Sequence, residues 1–382
     1  MKYRKFGKLD WKVSALGFGA MRLPVVNKNH SNIDESEVIR MMHYAFDHGV
    51  NYVDSAFGYH QGNSEVVIGK ALKNGYREKV RIATKLPSNE VHSYEDFDRC
   101  LNEELKRLQI DKIDFYLLHH LNRAAWPKFR DLGVLRWADS AIADGRIDYF
   151  GFSFHDTYDV FQEIIDSYDN WTLCQIQYNY MDEALNPGTR GLYYAHKKGL
   201  AVVIMEPIRG GRLTRPPERV AKLWASAPVQ RTPPEWALRW VWNHPEVTLA
   251  LSGMSNMAQV VENVAYAQYS QPNNLTTSDL ELIGRVRDAY RSLGPVSCTA
   301  CRYCMPCPNG VDIPHIFDFY NEAIIYNSPE KPRKYYNDTR EIKEEQRADK
   351  CIRCEQCLEK CPQKIPIPDL LEKAHAFLTE KG

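Results

Sequence analysis

Up to about residue 270 the chain repeats one unit: a short apolar run, a polar loop, then a stretch with helical spacing. The apolar runs are short and rich in β-branched residues, as strands buried on both faces require. They read "SALGFGA" (14–20), "VNYVD" (50–54), "VRIAT" (80–84), "IDFYLL" (113–118), "IDYFGF" (147–152), "TLCQI" (172–176), "AVVIM" (201–205) and "VTLAL" (247–251). Between them lie amphipathic stretches such as "DESEVIRMMHYAFDHG" (34–49), "SYEDFDRCLNEELKRLQ" (93–109) and "VLRWADSAIADG" (134–145), which predict helices. Eight strands alternating with helices is the requirement of an α/β (β/α)8 TIM barrel. An open doubly wound sheet would usually use fewer strands and a GxGxxG turn after the first, where this chain has "GFGAMRLP".

The pattern changes after residue 270. "SQPNNLTTSDLELIGRVRDAYRSLGP" reads as a polar linker, a helix opened by "TTSD" and a Gly-Pro stop. Two cysteine-rich stretches follow, separated by a charged segment (337–350) expected to be helical, and "IPDLLEKAHAFLTEK" closes the chain as a helix. The expected organisation is a barrel over 1–275, a linker helix over 276–294 and a small, mainly helical domain over 295–382. That tail is short for a large core and is expected to lean on metal for its stability.

Composition narrows the function classes. The 382 residues carry 49 basic and 49 acidic side chains, which excludes a broad basic footprint for nucleic acid. The opening "MKYRKFGKLDWKVSALGFG" lacks the apolar core of a signal peptide, and no run has the length of a membrane span. A cytoplasmic protein is expected, with neither nucleic acid nor membrane as partner. Clustered cysteines in that reducing compartment point to metal rather than disulfides.

Chemistry in a (β/α)8 barrel gathers where strands end, at the C-terminal face. That position holds Asp54, Lys85, His119, Ser153, Gln175, Met205 and Gly253. Tyr59 follows five residues after Asp54. A phenol with a pKa of about 10 is a poor proton donor without a cation beside it. Lys85 would supply that charge, with Asp54 as its partner, and His119 would share or orient the phenolic proton. The neighbouring His120 should face the other way if strand alternation holds.

"DSAFGYHQGNSEVVIGKAL", "ATKLP", "IDFYLLHHL", "GFSF" and "SGMSNMAQVVEN" together resemble the aldo-keto reductase family, over roughly residues 1–270. The resemblance implies carbonyl reduction by a nicotinamide cofactor without metal at the reacting centre. By position it makes Tyr59 the general acid, Lys85 and Asp54 its tuners, and His119 the group that orients substrate. It assigns Ser153 and Gln175 to the nicotinamide carboxamide, although the asparagine usual after that serine is Phe154 here. Met205, in "VIMEPIRGGRL", stands where the family often stacks an aromatic ring, and Pro207 and Ile208 follow on the same cofactor wall. "GMSNMAQVVEN" resembles the potassium-channel β-subunit branch, which implies cofactor contacts at Gly253, Ser255, Gln259, Glu262 and Asn263. NADP(H) is the implied cofactor, with NAD(H) as the other possibility.

The second run, "CIRCEQCLEKCP" (351–362), follows the C-x2-C-x2-C-x3-C-P spacing of bacterial ferredoxins, whose fourth cysteine ligates the other cluster. The first, "CTACRYCMPCP" (298–308), has one residue fewer before its Cys-Pro. Zinc would want two CxxC pairs about 15–20 residues apart, which neither run offers by itself. The tail resembles a two-cluster ferredoxin with a long insertion between its halves. That implies one [4Fe–4S] on Cys298, Cys301, Cys304 and Cys361, and a second on Cys351, Cys354, Cys357 and Cys307. Two functions stay open at this point. One is an enzyme interconverting a small carbonyl substrate and its alcohol. The other is an electron-transfer or redox-sensing module whose clusters serve a partner protein.

Overall fold

Each of the eight apolar runs forms a strand in a computed structural model of the chain, which describes residues 1–298, 302–339, 341–361 and 363–380. A hairpin not expected from the sequence comes first: β1 (Tyr3–Lys5) pairs antiparallel with β2 (Lys12–Ser14). The barrel strands are β3 (Leu16–Gly19), β4 (Tyr52–Asp54), β5 (Arg81–Leu86), β6 (Ile113–Leu121), β7 (Ile147–Phe154), β8 (Leu173–Gln177), β9 (Ala201–Met205) and β10 (Leu249–Ser252). They pair in parallel and in sequence order, and β10 closes onto β3.

Closure places one side chain of every second residue in the barrel lumen. Tyr52, Ala83, Phe115, Leu117, Leu173, Val203 and Leu249 fill it as one buried cluster. The hairpin stoppers the end where strands begin. Phe6 stacks on Phe115 at 4.6 Å, and the Arg81 guanidinium lies 4.3 Å from the Trp11 ring. Gly151 has to be glycine for space, because a Cβ there would come within 2.5 Å of the Leu173 carbonyl oxygen. With that end plugged, a ligand is expected at the opposite end, where the strands finish.

The helices obey the sequence signals. Asp34 caps the helix Glu35–Asp47 by accepting the Glu37 amide proton, and the helix Glu95–Leu108 buries Phe97, Cys100, Leu101 and Leu108 as an apolar stripe. Glu104 sits on that same stripe, fully buried. It belongs to the support of the site.

The chain divides into two compact units, residues 1–214 with 232–276 and residues 215–231 with 277–382. The second is helical, with segments Glu218–Ala225, Thr277–Leu293, Ile313–Ile325, Glu330–Asn337, Gln356–Lys360 and Ile367–Thr379. It differs from expectation in two ways. Among its described residues, the segment 337–350 holds only the end of the helix Glu330–Asn337 and the short turns Glu344–Gln346 and Ala348–Lys350, because its charged run offers no apolar stripe to bury. The tail also carries a core of its own, shared between the insertion and the last helix. Phe317, Phe319, Tyr336, Ile342, Leu371 and Leu378 are buried together, so the tail has packing beyond what iron would provide. Among the described residues, no helix is long and apolar enough to cross a membrane.

Candidate active site and cysteine sites

β4 and β5 deliver the centre of the site. In parallel register Asp54 pairs with Ala83, so the next inward residue of β5, Lys85, reaches Asp54 across the strand ends. The Lys85 ammonium donates to Asp54 Oδ1 at 2.7 Å and to the Ser55 carbonyl, and both side chains are almost wholly buried. Tyr59, in the turn Tyr59–Gly62 after β4, brings its ring centroid to 5.0 Å from the Lys85 nitrogen. His119, near the end of β6, meets the Tyr59 ring edge-on at 5.9 Å. The four residues singled out in the sequence are brought together at the open end of the barrel.

Their electrostatics follow from burial. Burial alone would lower Lys85, but the Asp54 carboxylate and Tyr59 outweigh it and hold the ammonium above its usual range. Burial raises Tyr59, with the Lys85 charge opposing, so the phenol keeps its proton at neutral pH. Burial and then Lys85 push His119 well below its ordinary value, leaving it a neutral imidazole. A neutral phenol over a fixed cation, beside a neutral imidazole, can deliver a proton to an oxygen that is gaining negative charge.

A second group of residues, not found from the sequence, holds the tyrosine turn. Arg107 donates to the Phe57 carbonyl at 2.9 Å, lies 4.3 Å from the Phe57 ring and pairs with Glu65 at 3.3 Å. Gly62, at φ +89°, leaves room for it, since a Cβ would stand 2.9 Å from the guanidinium carbon. Behind it, Thr84 donates to Glu65 at 2.6 Å and Tyr116 donates to Glu104 at 2.5 Å. Burial, followed by the Glu65 charge, raises Glu104 far above the carboxylate range, so it stays protonated. An acidic residue on an apolar helical stripe was the available sequence signal.

The residues expected to hold a nicotinamide cofactor line the same end. Gln175 is buried beside Asp54, and its Oε1 has no hydrogen-bond partner. Ser153 Oγ accepts the His120 amide proton at 2.8 Å and keeps its own hydroxyl proton to give. An unpaired buried acceptor and a spare donor, side by side on β7 and β8, fit a primary carboxamide. Phe154, where the family has asparagine, faces the other way and packs on Phe161 at 5.0 Å. Met205 and Ile208 are partly exposed and Pro207 is buried, while Glu206 between them takes a left-handed φ of +53°.

Farther out, Asn256 caps the helix Met257–Tyr266. Gln259 Oε1 accepts the Ser255 amide proton at 2.8 Å, and Asn263 is buried and donates to Ser252. Gly253 is half-buried and Glu262 is exposed. Arg22, passed over in the sequence, lies here. Ser255 donates to its carbonyl at 3.0 Å, and its guanidinium stands 3.6 Å from Glu206.

In the second unit the cysteines sort into two cavities. One is lined by Cys304, Cys307, Cys351, Cys354 and Cys357. The other is lined by Cys298, Cys304 and Cys361. Cys301 lies outside the described residues. Burial raises the Cys357 thiol, and the thiols that add to this are Cys351, Cys354 and Cys307. The last cysteine of each run therefore stands with the other run. Among the described residues, no three cysteine, histidine or acidic side chains converge on a single-ion site. Thiols spread around a cavity suit a multi-atom inorganic core. Cys100 and Cys174 are buried in the barrel unit, their thiols pushed up by burial.

Comparisons with known proteins agree with both halves. A model of the aldo/keto reductase family matches residues 15–283, and a 4Fe-4S dicluster domain matches residues 297–365. A probable aldo-keto reductase 1 of Glycine max is 32% identical over 157 residues, 39% of this chain and 44% of that protein. An NADH-specific methylglyoxal reductase of Escherichia coli is 27% identical over 333 residues, 76% of this chain and 99% of that one. The holo form of an aldo-keto reductase from Bacillus halodurans superposes with a TM-score of 0.63 at 29% identity, covering 75% of this chain and 96% of its own. With its closed parallel barrel and its cysteine-lined tail, the chain belongs to the aldo/keto reductase family and carries a 4Fe-4S dicluster domain.

Proposed function

We propose that the barrel interconverts a small carbonyl compound and its alcohol, with Tyr59 as the proton donor for reduction. The observation that carries this is the buried Lys85–Asp54 ion pair, 2.7 Å long, set 5.0 Å from the Tyr59 ring. A bound nicotinamide dinucleotide supplies the hydride. The chain's own residues do the rest. His119 and the Tyr59 hydroxyl hold the carbonyl oxygen, Lys85 favours the phenolate left after proton transfer, and Asp54 fixes Lys85 in place. Gln175 and Ser153 hold the carboxamide, and Met205, Pro207 and Ile208 form the wall beside it.

The resemblance of residues 253–263 to the channel β-subunit branch favours NADPH, with its outer phosphate near Ser255 and Gln259 and Arg22 as the nearby cation. Fluorescence titration with NADPH and NADH tests this. Equal affinities, or tighter NADH as in the name of the Escherichia coli relative, would count against it. Tyr59→Phe tests the catalytic role and is expected to lower carbonyl reduction on the order of 10²–10⁴-fold while nicotinamide still binds. Undiminished turnover would remove Tyr59 from the mechanism.

The tail's two cavities support one cluster on Cys298, Cys301, Cys304 and Cys361 and a second on Cys307, Cys351, Cys354 and Cys357. Such clusters pass single electrons. Cys354 is exposed and Ile352 is 65% exposed, which favours the second cluster as the point of exchange with an electron-transfer protein. A reducing, cytoplasmic setting would keep these thiols available to iron.

A further inference from the structure

Two acids lie wholly buried behind the tyrosine turn and take no part in the chemistry above. They are Glu65, on the helix Asn63–Ala71, and Glu104, on the helix Glu95–Leu108. They meet on one hydroxyl. Thr84 Oγ1, on β5 beside Lys85, stands 2.6 Å from Glu65 Oε1 and 3.1 Å from Glu104 Oε1. A hydroxyl carries one proton, so it can donate to only one of two carboxylates. The shorter bond takes that proton, and the longer contact then requires a proton on Glu104. Tyr116 already gives its own hydroxyl proton to the other Glu104 oxygen, at 2.5 Å.

Charge leads to the same count. Arg107 pairs with Glu65 at 3.3 Å and with Glu103 at 3.0 Å. The groups facing Glu104 are Glu65, Thr84, Tyr116 on β6 and Cys100 on its own helix; burial pushes the phenol and the thiol up, so both are neutral. A second carboxylate here would have no counter-charge of its own. The turn in front of these acids needs holding. His60 and Gln61, directly after Tyr59, take left-handed φ angles of +52° and +58°, which residues with a Cβ adopt only at a cost. Arg107 ties the two sides of that turn together. It donates to the Phe57 carbonyl ahead of Tyr59 and to Glu65 beyond Gly62.

We propose that Glu65 and Glu104, holding one proton between them, are positioning residues for Tyr59 that act through Arg107. This deepens the carbonyl-reducing reading above and rests on it. The Glu65 carboxylate orients the guanidinium, and the guanidinium fixes the Phe57 carbonyl and with it the entry to the turn. Glu104 holds Glu65 in place as a neutral acid, without a second charge to pull the guanidinium away from the Phe57 carbonyl.

A double-mutant cycle on Glu65→Gln and Arg107→Leu reads the path. Each alone is expected to lower kcat for propanal or benzaldehyde about tenfold with KM little changed. The double variant should lose no more than the worse single, because the two residues act as one unit. Losses that multiply would overturn the route through Arg107. Glu104→Leu leaves Glu65 and Tyr116 without their partner and should slow turnover similarly. Glu104→Gln should regain most of that loss, since its amide donates and accepts as the protonated acid does. A Gln variant no better than Leu would show that Glu104 works as an anion. The proton is also read on folded protein without turnover. Difference infrared spectra of wild type against Glu104→Gln at pH 7 should show the carbonyl stretch of a protonated carboxyl group, and a carboxylate band in its place would overturn the shared proton. Folding raises Glu104 above its unfolded value of about 4.3, so the stability it contributes is full below that pH and is lost as pH rises toward the folded value. Glu104→Gln should therefore gain on wild type in melting temperature as pH rises through that range, and a gap that stays constant would count against a protonated Glu104. If the wild type reduces neither aldehyde with either dinucleotide, the carbonyl-reducing reading fails and the positioning role with it, whichever band the infrared spectrum shows.

Discussion

Lys85→Met removes the buried cation beside Tyr59. The ammonium is 5.0 Å from the phenol ring and 1% exposed as a side chain. At that distance a unit charge is worth about 3 kcal/mol for an effective dielectric of about 20. Tyr59 would therefore resist ionisation still more strongly, since the Lys85 charge that opposes the effect of burial is gone. If most of that charge develops in the transition state, reduction slows on the order of 10²-fold. The substitution also strands Asp54, which is 3% exposed, and breaking a buried pair costs about 3–5 kcal/mol of stability. The double variant Asp54→Asn/Lys85→Met separates the two effects, because it removes both charges. Its melting temperature should recover most of the loss, and its rate should not. The assay is steady-state reduction of an aldehyde at pH 7, followed through the absorbance of the reduced dinucleotide, with dinucleotide binding measured on the same samples. A folded Lys85→Met protein whose turnover stays within about threefold of wild type would refute the electrostatic argument.

The pH dependence follows from the directions already given. The depressed His119 carries no proton to lose near its ordinary value of 6.5, so reduction should show no inflection there and should decline only at a pH above the ordinary phenol value, as the raised Tyr59 loses its proton. A pH–rate profile with an acid limb near 6.5 would mean that His119 works as a cation. Arg107→Leu removes the bond to the Phe57 carbonyl and leaves Glu65 without its cation, so kcat should fall about tenfold through a misplaced Tyr59. Arg107→Lys should restore little, since it lacks the planar fork; full activity in Arg107→Leu would show that the turn holds itself. Cys354→Ser and Cys361→Ser should each lose about half the iron, because each thiol lines a different cavity. Chelated protein should keep most of its helical circular dichroism on the strength of the tail's own core, and a collapse of that signal would show that iron alone holds the helices.

Much of this protein is written in local sequence. A strand buried on both faces must be a short apolar run, and eight such runs separated by amphipathic stretches leave few architectures. The residue ending each run must sit at the mouth, so Asp54, Lys85 and His119 were readable before any coordinates. The two cysteine runs carry their chemistry in their spacing. The tertiary structure decided what depends on register between distant segments. It decided that the His120 ring stacks on His155, because one irregular step between β6 and β7 interrupts the alternation that sequence reasoning assumes. Arg107 reaches the tyrosine turn because its helix packs across from it, a relation between residues fifty apart that no local pattern encodes. Gln259 proved to be bonded to Ser255. The grouping of Cys307 with the second run and of Cys361 with the first was implied by the ferredoxin resemblance, and the fold brings those thiols to the two cavities. Periodicity is set by neighbours in the chain, whereas a site is set by neighbours in space.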